Sequence, residues 1–303
     1  MVKGVLQSIS LLLILTLTQG CIREGSKECE EETIVLIKVI DAITGEDITT
    51  SGIVSQAELY IFNQDKQFIH KIDVDTEEIT QKIPVIISSV DTPNLTIVAW
   101  GNRSEKEIVQ NLLPESKLDE VILQLTSATE DYVHTPDDLF FGIKEINLPV
   151  TRSSSTQEIV MERVVARMQI TVRGLPTGAS AENYYFEIAT IHTGYNFEGI
   201  PTGQPGKIIE TGIFNNENDL VNPIPFNVIA AHNLSENHIV VRLFRKAEIR
   251  NDILIAMVEV DINNQPITPL PAQTTHVLID LRRMIEVYVK TTPWDEQHQW
   301  VEW

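Results

Sequence analysis

Apolar residues in this chain recur every second position and nowhere sustain a helical period. Met168, Ile170 and Val172 alternate with Gln169, Thr171 and Arg173. Ile285, Val287 and Val289 alternate with Glu286, Tyr288 and Lys290. Successive side chains of an extended strand point to opposite faces, so this pattern places one face against a core and the other toward water. Ile34 to Val39, Ala57 to Phe62, Ile72 to Asp75, Leu95 to Trp100 and Val121 to Leu125 form a first set of such runs. A second set starts near residue 158 and includes Met168 to Val172, Tyr184 to Ile188, Ile239 to Leu243, Ile253 to Val260, His276 to Leu281 and Ile285 to Lys290. In Ala57 to Phe62, Leu59 and Ile61 lie on one face and Tyr60 and Phe62 on the other. Turn residues separate the runs, as in Thr44-Gly45, Asn63-Gln64-Asp65, Thr92-Pro93-Asn94 and Gly101-Asn102. Short β-branched strands spaced by turns predict an all-β protein of antiparallel β-sandwich type.

The N-terminus is organised for export. Lys3 precedes an apolar stretch from Val5 to Leu17, and Gly20 stands directly before Cys21. The stretch is short for a membrane span and a polar chain follows it, which is the pattern of a removed signal peptide over residues 1–20. Leu17-Thr18-Gln19-Gly20-Cys21 resembles a bacterial lipobox, with Thr18 where leucine is usual. Cleavage between Gly20 and Cys21 with lipid on the Cys21 thiol is therefore expected. Acyl chains contribute roughly 0.8 kcal/mol per buried methylene, enough together for a stable membrane anchor. Residues 21–32 read as a flexible, acidic tether, and their acidity resembles the surface-export signals of Bacteroidetes lipoproteins.

The 303 residues carry a formal charge of −20. That balance excludes a phosphate-reading nucleic-acid binder, which needs clustered Lys and Arg. The chain has only two cysteines, Cys21 and Cys29. With Cys21 lipidated, Cys29 is a lone thiol, and no disulfide framework or cysteine-rich metal site is available. The remaining organisation predicts a first domain over 33–150, a polar linker at 151–157 and a second domain over 158–303. Gly194 to Asp219, rich in Gly, Pro and Asn, reads as a long loop of the second domain.

The sequence offers no catalytic set. It lacks the HExxH, GxSxG, P-loop and GxGxxG motifs. The seven histidines show no ligand spacing, although His232 and His238 flank one turn. Asp73, Asp75 and Glu77 alternate but lack the glycine and distal glutamate of a calcium loop, so they read as a solvated strand face entering a turn. Asp137-Asp138 follows Pro136 and reads as a turn. No metal, cofactor or catalytic residue is expected. Trp294, Trp300 and Trp303 crowd the C-terminus, where they either close a core edge or present a glycan or protein contact.

Four segments carry a family resemblance. They are Ala57-Glu58-Leu59-Tyr60-Ile61-Phe62-Asn63-Gln64-Asp65-Lys66-Gln67-Phe68, Leu95-Thr96-Ile97-Val98-Ala99-Trp100-Gly101-Asn102, Asp137-Asp138-Leu139-Phe140-Phe141-Gly142 and Val164 to Leu175. In order and content they resemble the FimB-type fimbrial anchor and accessory lipoproteins of Bacteroidales. The resemblance implies two tandem transthyretin-like β-sandwich domains and a non-enzymatic role as anchor or accessory subunit of a fimbrium on the outer membrane, joined to other pilins by strand exchange. Stalk subunits of that kind are cut after an arginine near the start of the first domain. Here no arginine occurs between Arg23 and Arg103, which fits an uncut anchor. Ile285 to Lys290, as a terminal alternating strand, is the candidate for exchange. A surface glycan-binding lipoprotein is the alternative reading, carried by the C-terminal tryptophans and the Gly194–Asp219 segment.

Overall fold

The computed structural model describes residues 32–88, 94–147, 156–231, 238–247 and 251–300. The first half contains β1 (Glu32–Val39), β2 (Gln56–Phe62), β3 (Phe68–Asp75), the short helix α1 (Thr76–Thr80), β4 (Val85–Ser88), β5 (Asn94–Gly101), β6 (Glu107–Gln110), β7 (Ile122–Leu125), β8 (Phe140–Asn147) and β9 (Thr156–Arg163). The second contains β10 (Val165–Arg173), β11 (Tyr184–Thr190), β12 (Gly194–Asn196), β13 (Pro201–Thr202), β14 (Gly206–Thr211), β15 (Ile213–Phe214), β16 (Leu220–Val221), β17 (Phe226–Ile229), β18 (Val240–Arg245), β19 (Ile253–Val258), β20 (Gln273–Asp280) and β21 (Glu286–Pro293). The chain is all-β apart from α1 and three turns of 3-10 helix among the described residues.

Both halves follow one strand path. In the first, β3-β2-β5-β8 form one layer and β9-β1-β4 the other. Strands β8 and β9 meet at the corner through Phe140–Arg163 and Phe141–Glu162. In the second, β14-β11-β18-β19 form one layer, and β10 lies between β20 and the pair β16 and β17 in the other. In each half the first strand runs parallel to the last strand of the path: β1 to β9, and β10 to β20. The second half has a further strand, β21, antiparallel to β20.

Each pair of layers encloses its own core. Val35, Ile37, Leu59, Ile61, Ile97, Ile159 and Met161 fill the first. Met168, Ile170, Phe186, Ile188, Val241, Val277 and Ile279 fill the second. The alternation that the sequence shows in β10 is the alternation of this core. Ile285 departs from its expected place: it precedes β21 and is exposed, whereas Val287 is buried.

Two sequence boundaries are corrected. Residues 158–163, placed by sequence at the start of the second domain, belong to β9 and complete the first layered body. The reason is the open edge of β1, whose N–H and C=O groups need a ladder partner that β9 supplies. The crossing between bodies therefore narrows to Val164, between β9 and β10. Gly194 to Asp219 is not a structureless loop, because it holds β12 to β15. Strand β12 leaves the second body and pairs with β7, giving a small sheet of order β13-β12-β7-β6.

Candidate load-bearing site

Both faces of β2 are buried, and this decides how the two bodies join. Leu59 and Ile61 face the first core, while Tyr60 and Phe62 face outward into a third cluster. The small β13-β12-β7-β6 sheet covers that outward face with Leu123, Leu125, Tyr195 and Phe197. Phe197 lies edge-on to Tyr60 at 4.9 Å and to Phe62 at 6.1 Å. Trp100 packs on Phe141 at 4.8 Å and on Tyr195 at 5.7 Å. Residues of both halves thus share one apolar seam. Aromatic pairs of this kind add about 0.5–1.5 kcal/mol each beyond their buried area.

The chain crosses this seam under a polar clamp. Tyr195 donates its hydroxyl hydrogen to the Val164 carbonyl at 2.8 Å and accepts from the Ala230 N–H at 3.3 Å. Arg163, 3 % exposed, donates from Nε and Nη2 to the two carboxylate oxygens of Asp138, at 2.6 and 3.0 Å. Its guanidinium lies 4.0 Å from the Trp294 ring centre, and that of Arg167 lies 3.9 Å from the same ring. Trp294, at the end of β21, is therefore held by two guanidinium groups flanking the crossing. Each cation–π contact contributes about 0.5–2 kcal/mol, more where water is excluded. Burial lowers the pKa of Arg167, and the neighbouring Asp138 carboxylate opposes that shift only in part.

Several motif residues owe their identity to this joint. Asn102 holds φ 60°, a left-handed backbone that asparagine tolerates. Its amide donates to the carbonyls of Ile53 and Asp138, at 2.9 and 3.0 Å, and its carbonyl accepts from the Ser55 N–H at 2.8 Å. A Cβ on Gly142 would stand 2.4 Å from the Val160 carbonyl oxygen, so only glycine allows β8 to approach β9 at the corner. Asp138 is the Arg163 partner, and Asp137 pairs with Lys106 at 2.6 Å. The Asp137-Asp138 turn is thus an ion-pair anchor for the joint.

Strand β1 is held on both sides. It lies between β9 and β4, with Val35 and Val39 fully buried and Ile37 4 % exposed. The first sheet is filled by its own N-terminal strand. Cys21 and Gly20, the expected lipidation and cleavage residues, lie outside the described residues, as do Trp303 and His232. His238 is exposed, and no group of His, Cys, Asp and Glu among the described residues has the closeness of a metal site. Asp75 caps α1 in a capping box with Glu78, and Asp73 pairs with Lys71 at 2.7 Å.

Beyond the clamp, the C-terminal segment folds along the outer face of β20. His276 is buried, with its ring nitrogens 2.9 Å from Gln169 Oε1 and from Thr292 Oγ1. His298 lies 5.1 Å from it, and Trp300 sits edge-on to His298 at 4.7 Å. Burial, aided by His298, lowers the His276 pKa to about 4. An open recess of about 360 Å³ lies beside this segment, lined by Asp280, Arg282, Arg283, Glu286, Tyr288 and Trp300.

Sequence reasoning found the aromatic motifs but missed Arg163, Arg167 and Tyr195. The available signal was an arginine on an inward position of β9, where an alternating strand carries an apolar residue.

A family model for the fimbrillin-A associated anchor proteins Mfa1 and Mfa2 matches residues 26–300, and the chain belongs to that family. It is 22 % identical to the major fimbrium anchoring subunit FimB of Porphyromonas gingivalis strain W83, over 99 % of both chains. Its fold is similar to that of the fimbrial anchor protein Mfa2 from Porphyromonas gingivalis, with a TM-score of 0.62 and 14 % identity over 86 % of this chain and 98 % of that one. A Bacteroides thetaiotaomicron structure, provisionally described as polysaccharide-binding, aligns with a TM-score of 0.64 and 13 % identity over 88 % and 98 % of the two chains.

Two outcomes follow from this geometry. Trp294→Ala removes the ring between two guanidinium groups and should cost about 3–5 kcal/mol in denaturant unfolding, in line with large aromatic truncations in cores. His276 is neutral in the folded protein and titrates near 6.5 when unfolded, so the unfolded chain binds more protons between those values. Stability should fall as pH drops from about 6.5 to 4, and His276→Gln should flatten that part of a melting-temperature profile.

Proposed function

We propose that this chain is the membrane-anchoring subunit of a fimbrium, held by lipid on Cys21 and joined to pilin subunits through β-strand pairing. The observation that carries the reading is the placement of β1. A tether from Cys21 to Glu32 reaches at most about 40 Å before the chain enters the middle strand of a sheet. A pull on that tether loads β1 along its length. Ladder bonds to β9 and β4 then resist together in shear instead of opening one at a time.

The seam continues the path. β9 hands the load to β10 across Val164, and the Tyr195 hydroxyl and the Arg163–Trp294–Arg167 stack brace that crossing. The absence of arginine between Arg23 and Arg103 leaves the tether and β1 without the cut that frees the groove of stalk pilins. The role is structural and needs no catalytic chemistry.

A second reading, binding of a surface glycan, has one specific support. The recess beside β21 combines Tyr288 and Trp300 with the planar charged groups of Asp280, Arg282 and Glu286. Aromatic faces beside planar hydrogen-bonding groups suit a sugar ring.

Replacing Cys21 with Ala should release the folded protein from outer-membrane fractions into soluble ones; unchanged fractionation would overturn lipid anchoring. Retardation on polysaccharide affinity gels that disappears in Trp300→Ala would favour glycan binding, and no retardation of the wild type would remove that reading.

A further inference from the structure

The layer β3-β2-β5-β8 of the first body and the layer β14-β11-β18-β19 of the second are built alike, and each turns an apolar side outward. In the first, Tyr60, Phe62, Val98 and Trp100 point away from the core and are buried under the small β13-β12-β7-β6 sheet. On that face Glu58 accepts from Lys71 at 2.8 Å, from Arg103 at 2.6 Å and from the Tyr60 hydroxyl at 2.7 Å.

The second body repeats the arrangement. Phe186 and Ile188 of β11 face the core, so Tyr185 and Glu187 face outward. Register sets Tyr185 beside Phe244 and then Leu254, and it sets Glu187 between Ile209 and Arg242, with Met257 beyond. A register shift after Leu243 lets Leu254 face outward while Ile255 packs on the core. Tyr185 and Phe244 stack at 5.2 Å with their planes 12° apart. Glu187 accepts from Arg242 at 2.7 Å, from Lys207 at 3.3 Å and from the Tyr132 hydroxyl at 3.2 Å. An arginine, a lysine and a tyrosine hydroxyl thus hold the outward carboxylate in both bodies.

The two faces differ in their cover. On the second, a cover begins where the segment after β7 runs along β14: the Val133 N–H donates to the Lys207 carbonyl at 2.9 Å, and Tyr132 reaches Glu187. Around that point Ile209, Leu254 and Met257 are 41, 47 and 49 % exposed. A sheet face turned to water ordinarily carries polar residues, so large apolar side chains around a stacked aromatic pair mark a contact surface.

We propose that this outer face of β14-β11-β18-β19 docks a fimbrial subunit, which lays an apolar β-surface over Phe244, Leu254 and Met257. The proposal rests on the anchoring reading and deepens it by naming where the next subunit sits. The chemistry of the occupant follows from the first body, where Leu123, Leu125, Tyr195 and Phe197 of neighbouring strands cover the matching face. Polar groups are settled in advance. Glu187 has its three donors, and Asp252 accepts from the Tyr185 hydroxyl at 2.9 Å and the Ala247 N–H at 3.1 Å, so covering the face strands neither carboxylate. A sugar is a poor occupant, because Tyr185 is buried in its stack and the open groups of Ile209, Leu254 and Met257 donate no hydrogen bond. A second copy of this chain, at −20, would meet like net charge.

The test places photoreactive p-benzoylphenylalanine at Met257, and separately at exposed Ile86 of β4, in the full-length chain within cells that bear the fimbrium. Irradiation should join position 257 to a fimbrial subunit, identified by mass spectrometry, with a yield roughly ten-fold above that at position 86. The double variant Leu254→Glu, Met257→Glu puts charge at exposed positions, so its melting temperature should hold while the fimbrial subunit recovered by pull-down falls about ten-fold. If that variant melts early, the crosslink alone decides. Equal yields at the two positions, an adduct with a second copy, or undiminished recovery by a folded double variant overturns the proposal. Purified fimbriae tell the two readings apart. Chain present there without an adduct at position 257 overturns this face and leaves anchoring intact; chain absent from them overturns anchoring, and this docking face with it.

Discussion

The parallel ladder between β1 and β9 governs the rest of the molecule. It joins Ile34 to Thr156 and Val39 to Met161, residues far apart in the chain, and so closes the first sandwich. Without it β1 would be an edge strand pairing only with β4, and the first core would lose the wall formed by Ile159 and Met161. The same ladder fixes where β9 ends, and so where β10 begins. Position and direction of the second body follow from that one crossing. Long-range parallel pairing is entropically slow to form, because a long loop must close before the contacts reward it.

The crossing is a single residue, and a single residue would ordinarily be a hinge. Here it is braced on three sides. The small sheet built from β12 and β7 covers the aromatic outer face of β2 and β5, the Tyr195 hydroxyl holds the Val164 carbonyl, and Trp294 returns from the end of the chain to lie between Arg163 and Arg167. The C-terminal strand thereby reports on the joint between the bodies. Under the proposed anchoring role, such a joint would carry tension between tether and fibre without first stretching.

Much of the fold was legible as pattern. The alternation in β10 and β21, the double-faced apolar run of β2 and the turn signals place strands correctly because strand periodicity is a local property. The aromatic motifs Tyr60, Phe62 and Trp100 were also visible, and their outward faces proved to be the seam. The short strands β12 to β15 were not visible, since two- and three-residue pairings leave no periodic trace in a Gly- and Pro-rich stretch. The boundary error at residue 158 has a similar cause: a polar linker on one side of β9 says nothing about which sheet β9 joins.

By itself, the sequence determined the class of the protein: an acidic, all-β chain without a recognisable catalytic or metal motif, with strands at nearly their observed places. Tertiary structure decided which strands neighbour one another, that β1 fills its own sheet, that Arg163 and Arg167 hold Trp294, and that β21 lies along β20. The physical reason is range. Strand propensity and alternation depend on residues two apart, whereas ladders and guanidinium stacks depend on which distant segments the two cores bring together.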